Sequence, residues 1–296
     1  MRRYAAWLLP VLIFVALGAA WGQDAKGLVA AKYAAPLKKI FDYQAVFAPL
    51  DPALAKVYPV AIVENKTFYV FEPVPGEKAY RLAASAPDAY GVPAGVRAAM
   101  PLGFWEDRMA CVVTPDVFDR PEGYVIIFHE FVHCAQWEGG EREFKQGLSI
   151  YQKAMSKKDY MWELQYPFPY AKPAFVDTYR ALLEAWESGD TAAAASLRAD
   201  LAKILTPEEW EYMTWQEWKE GLARNLENRM RYAAGLPENG GGANPPYDRV
   251  TFYVGGDKFI RFLGKVERGA AGDLGALYRK IKAKPDRRPL PSQIPI

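Results

Sequence analysis

The segment spanning residues 120–138 constrains this chain more than any other. Val125, Ile126, Ile127, Phe128, Phe131 and Val132 make it apolar on nearly every side, and a helix of that kind lies in an interior. Asp119 reads as its N-cap, Glu122 stands three residues later as in a capping box, and Pro121 suits the first turn. The same helix carries His129, Glu130 and His133, and these two histidines are the only ones in the chain. Any fold built around it must bury two imidazoles and a carboxylate, which is unfavourable unless each has a partner or a task.

Residues four apart on a helix share a face, with Cβ atoms about 5–6 Å apart. Two imidazoles so placed can reach one metal ion, at Zn–N distances of about 2.0–2.1 Å. Glu130 flanks the same face and can accept a proton from a water at that site. Cys134 follows His133 directly, and a helical step of about 100° turns its sulfur away. A catalytic zinc takes three protein ligands. With no further histidine, the third is expected to be a carboxylate. The leading choice is Glu220, in Trp218-Lys219-Glu220-Gly221-Leu222-Ala223. The small residues Gly221 and Ala223 are expected to let this helix pack closely on the motif helix. The alternative is Glu163, nearer in sequence but within an aromatic segment.

His129-Glu130-Phe131-Val132-His133 followed by Glu220-Gly221-Leu222-Ala223, with Glu227 one heptad on, resembles the gluzincin metallopeptidases, most of all their peptidase-MA-like branch. Tyr253 with Phe259-Ile260-Arg261-Phe262-Leu263 is similar to a further helix of such proteins, and the likeness covers roughly residues 105–283. It implies a zincin-like fold, Zn²⁺ held by His129, His133 and Glu220, and Glu130 as general base. One departure stands out. Thermolysin-type members place an acid four residues after the glutamate ligand to orient a histidine, and here that position is Arg224. Glu217 or Glu227 is expected to take over that task.

The chain around the motif reads as α+β, with a mostly helical body and a small sheet on its N-terminal side. Helical spacing covers 24–50. Val57–Val63, Thr67–Phe71 and Met109–Thr114 read as strands, and a Pro/Gly/Ala-rich stretch runs to about Gly103. Helices follow at about 120–138, 141–157, 173–188, 190–204, 207–234, 250–266 and 271–283. The aromatic loop Tyr160–Tyr170 is a possible cleft wall, and Asn239–Asn244, with three consecutive glycines, a possible lid. Tyr253 is placed to donate a hydrogen bond to an oxyanion, with plain core packing as its alternative. The strand-rich part is thus about 57–114 and the helical part about 120–283, within one domain over 23–283.

Residues 1–22 have the layout of a secretory signal peptide: Arg2 and Arg3, an apolar run from Ala5, then Ala20 and Gly22 before the expected cleavage. A retained N-terminal anchor is the alternative. Residues 284–296 form a Pro-rich tail. Removing 1–22 leaves 35 basic and 35 acidic residues, so electrostatic capture of nucleic acid or of an anionic membrane is not expected. Lys280, Lys282, Lys284, Arg287 and Arg288 read as a solvated surface. Export leaves two readings of Cys111 and Cys134 open, a disulfide or two buried thiols.

These features together predict an exported zinc metallopeptidase acting on a peptide or protein, without stable membrane insertion after signal cleavage. Two alternatives remain: a zinc hydrolase of a non-protein amide or ester, and a non-catalytic binding protein that keeps the fold. With both histidines committed to metal, a Ser-His-Asp triad is excluded.

Overall fold

Branched and aromatic residues after Pro59 build the sheet. In a computed structural model, which describes residues 9–266 and 273–284, β1 (Val60–Glu64), β2 (Thr67–Pro73), β3 (Tyr80–Pro87), β4 (Arg97–Leu102) and β5 (Arg108–Val113) form one sheet in the order β3-β2-β1-β5-β4. β1 and β5 run parallel, and every other pair is antiparallel. Side chains alternate between faces, as the strand period requires. Val60, Ile62, Phe71, Cys111 and Val113 join the main core, while Ala61, Val63, Phe68, Val70, Leu102, Ala110 and Val112 form a second apolar cluster on the other face.

Two of these strands lie in the stretch that the sequence reads as irregular. β3 and β4 are alanine-rich, with Ala83, Ala84 and Ala86 in one and Ala98 and Ala99 in the other, so their own β preference is weak. Both are edge strands, and Pro101 is tolerated in β4 because an edge leaves one side of the backbone unpaired.

The body is helical. α1 (Leu9–Phe47) buries Tyr33, Leu37, Ile40 and Phe47. It starts inside the expected signal segment, of which residues 1–8 lie outside the described residues. α2 (Pro121–Gln136) lies across β5 and β4 on one side and meets α8 (Pro207–Ala233) on the other. A π-helical turn, Trp137–Glu141, carries the chain past Gly139-Gly140 into α3 (Arg142–Gln146), α4 (Ser149–Ser156) and the single turn α5 (Trp162–Gln165). Then come α6 (Pro173–Ser188), α7 (Thr191–Ile204), α8, α9 (Thr251–Val266) and α10 (Leu274–Lys282). The fold is α+β with a mostly helical body, as expected. The Pro-rich tail beyond Lys284 lies outside the described residues. Among the described residues no helix is long and apolar enough to cross a membrane.

Two local expectations are corrected. Asp119 does not cap α2. It closes a 3₁₀ turn over Pro115–Asp119, and Arg120 takes the N-cap position with extended backbone and no side-chain cap. Gly123 makes this entry possible, since a Cβ there would stand 1.7 Å from the Val117 carbonyl oxygen. The second correction concerns Gly221, which packs not on α2 but on α9: a Cβ would lie 2.4 Å from Gly256 Cα. The paired glycines bring the α8 and α9 backbones into contact. Cys111 and Cys134 are free, buried thiols, which decides between the two readings.

Candidate metal centre

α2 and α8 place the donors. His129 and His133 stand on one face of α2 and Glu220 on the facing side of α8, all at 9% exposure or less. Glu220 Oε2 lies 3.8 Å from His129 Nε2 and 3.3 Å from His133 Nε2. One ligand atom from each residue falls within 4.8 Å of the others. Two donors bound to one tetrahedral zinc at about 2.0–2.1 Å are roughly 3.4 Å apart, so the spacing and the N,N,O donor set suit such an ion.

The far side of each imidazole is engaged. Nδ1 of His129 lies 3.2 Å from Glu227 Oε2, and Nδ1 of His133 lies 2.7 Å from Gln136 Oε1. Both partners are acceptors, so each Nδ1 carries a proton, and each Nε2 turns toward Glu220. The orientation of Gln136 follows from its other end, where Nε2 donates to the carbonyls of Trp218 at 3.4 Å and Lys219 at 3.0 Å. Gln136 thus holds His133 and at the same time ties α2 to the turn of α8 that presents Glu220.

Of the two acids expected behind a histidine, Glu227 fills the role and Glu217 does not. Glu217 accepts from Tyr179 Oη and Arg198 Nη1, both at 2.8 Å. Glu227 also accepts from Arg224 Nε, Arg231 Nε and Asn239 Nδ2. Burial pushes its carboxyl up, but the hydrogen bond to His129 and the surrounding donors hold it well below the usual carboxylate range. Arg224, which breaks the thermolysin-type pattern, therefore braces Glu227 instead of facing a histidine. Its Nη1 also donates to the Asn239 and Gly241 carbonyls, so the glycine-rich loop is fastened to the carboxylate behind His129.

Burial lowers the His129 pKa, but hydrogen bonds to Glu220 and Glu227 outweigh it and raise it to about 10. For Glu220, burial acts upward, while His133 and His129 draw it well below the normal value. Glu130 is 6% exposed, and among the described residues no hydrogen bond or ion pair holds its carboxylate. Tyr253, at the start of α9, is half-buried, with its ring nearly parallel to that of His129 at 6.5 Å. Burial first, and then Glu220, raise the pKa of its hydroxyl, which keeps it protonated and able to donate.

No family model, curated protein or solved structure matches this chain.

The alternative ligand Glu163 lies elsewhere. It bonds Lys145 at 2.6 Å and Lys219 at 2.8 Å, in a closed ring of charges completed by Glu141. The aromatic segment around it is mainly packing: Trp162 and Phe168 are buried, and Tyr166 stacks on Tyr212 at 4.5 Å. β5, the strand read at Met109–Thr114, is an inner strand of the sheet. It sits between β1 and β4, and β4 is the edge.

Sequence reasoning missed two residues of the site. Gln136 carried a signal, since a residue three after His133 shares its helical face. Arg249 carried none, because it stands in the loop before α9 and only the fold brings its Nη1 to 3.3 Å from Glu220 Oε1.

Proposed function

We propose that this chain is an exported, zinc-dependent metallopeptidase. The observation that carries the reading is the convergence of His129 Nε2, His133 Nε2 and Glu220 Oε2, with an acceptor behind each imidazole. His129, His133 and Glu220 hold the ion, as in the gluzincin pattern that the sequence resembles. When bound, zinc supplies Lewis acidity, which acidifies water and polarises a carbonyl. Glu130 accepts the proton of the attacking water and delivers it to the leaving nitrogen. Tyr253 donates a hydrogen bond to the oxyanion. Glu227 and Gln136 keep both imidazoles in the tautomer that leaves Nε2 available.

A peptide is the favoured substrate because the edge strand β4 lies against α2. Its outer edge offers backbone donors and acceptors to an extended chain. Residues 1–22 direct export and are removed, so the mature protein is expected to begin at Gln23.

Metal analysis of the purified protein and a set of variants test this reading. About one zinc per chain is expected. Glu130→Gln should keep the metal and abolish peptide hydrolysis. Glu220→Ala should lose the metal, whereas Glu163→Ala should retain it. A metal-free wild type, or a Glu130→Gln variant as active as wild type, would overturn the proposal, and the latter would favour the binding-protein alternative.

A further inference from the structure

Three arginines reach the candidate centre, and two are fully engaged. Arg224 bonds Glu227 and the carbonyls of Asn239 and Gly241. Arg231 bonds Glu227 and the Pro237 carbonyl. Their side chains are 6% and 12% exposed. Arg249 differs. Its side chain is 27% exposed, it leans on Tyr253, and its ion pair with Glu220 is a long one, from Nη1 to Oε1 at 3.3 Å. A guanidinium carries five donors arranged for bidentate contact with a carboxylate.

The position of Arg249 is well defined. Its guanidinium lies 5.1 Å from the centroid of the Tyr253 ring, whose surroundings also include Arg224 at 5.3 Å. Glu220 presents Oε2 to the two histidines and Oε1 to Arg249. Arg249 therefore stands directly next to the carboxylate that faces both imidazoles.

We propose that Arg249 receives the C-terminal carboxylate of a peptide substrate, so that the enzyme removes single residues from the C-terminus. The reach fits, because a free C-terminus lies one residue, about 3.8 Å of chain, beyond the last peptide carbonyl. A chain continuing past that point would offer the Arg249 guanidinium no carboxylate to pair with. Water adds across the last amide: its hydroxyl goes to the carbonyl carbon and its proton to the departing amine, releasing one free amino acid.

This inference rests on the hydrolase reading, and a binding experiment separates the two. The zinc-treated mature chain carrying Glu130→Gln is titrated calorimetrically with acetyl-Ala-Phe, with its C-terminal amide, and with acetyl-Asp-Phe amide. The free acid is expected to bind on the order of 10–100-fold more tightly than either amide, the worth of one or two charge-assisted hydrogen bonds. Adding Arg249→Met should remove that difference, and Arg249→Lys should restore part of it. Equal affinity for the free acid and its amide overturns the proposal. So does tight binding of acetyl-Asp-Phe amide, which would assign Arg249 to an acidic side chain. Zinc content of the same samples tests the parent reading. Protein without zinc that still prefers the free acid keeps the Arg249 site and loses the hydrolase.

Discussion

Glu227 Oε2 stands 3.2 Å from His129 Nδ1, and Glu227 lies on the same helix, α8, that presents Glu220. Seven residues separate the two acids, close to two helical turns, so both face α2. One helix thereby places one carboxylate in front of His129 and another behind it. Glu227→Gln is expected to lower zinc affinity about 10–100-fold, the usual effect of removing an outer carboxylate. Competition with a chromophoric chelator measures it, and an unchanged affinity would remove Glu227 from the site.

Gln136 does for His133 what Glu227 does for His129, and it also ties two helices together. Gln136→Leu loses the acceptor at Nδ1 and both donations to α8. It is expected to weaken zinc binding and to lower stability by about 1–3 kcal/mol. Gln136→Glu keeps an acceptor toward His133 and loses the donor toward α8. Its zinc affinity should therefore exceed that of Gln136→Leu. Urea unfolding combined with metal titration reads both effects, and identical metal affinities in the two variants contradict the assignment.

The glycine pair between α8 and α9 sets the distance from Glu220 to Tyr253 and Arg249. Gly221→Ala places a methyl 2.4 Å from Gly256 Cα, and backbone has little room to give. Overpacking of this kind costs about 1–3 kcal/mol. The midpoint of chemical unfolding should fall by the corresponding amount, and hydrolysis should fall with it as α9 shifts. Gly240→Ala serves as the control, because nothing lies within 4 Å of a Cβ there. A stable Gly221→Ala variant would show that the helices can separate freely.

The ring of Glu141, Lys145, Glu163 and Lys219 predicts an acid-sensitive step. Burial raises the Glu163 pKa, but Lys219 and Lys145 outweigh it and bring it from 4.5 to about 2. Because the folded value is the lower one, the contribution of Glu163 to stability is complete above pH 4.5 and disappears as the pH falls from 4.5 toward 2. Glu163→Gln should flatten the stability profile across that window while retaining zinc at neutral pH. Urea midpoints measured from pH 5.5 to 2.5 test this, and an unchanged slope would argue against the ring.

Much of this protein was legible in its sequence. The 3.6-residue pattern set the bounds of the later helices closely, with Pro173–Ser188 and Thr251–Val266 within a residue or two of the reading. The motif helix was evident because its polar residues are few and stand against apolar neighbours. β3 and β4 were not legible, because alanine-rich edge strands owe their form to the strands beside them and carry little preference of their own.

Sequence alone determined the two histidines, their shared face and the expectation of a carboxylate beside them, since these follow from helical periodicity and the donor types available. Only tertiary structure decided which carboxylates stand beside the imidazoles. Glu163, Glu217, Glu220 and Glu227 look alike along the chain, yet Glu163 joins a ring of lysines, Glu217 pairs with Arg198, Glu220 faces both imidazoles and Glu227 backs one of them. The physical reason is that a carboxylate's role is set by the charges packed around it, and those come from helices distant in sequence. The placement of Arg249 beside Glu220, across the Gly221–Gly256 contact, is a decision of the same kind.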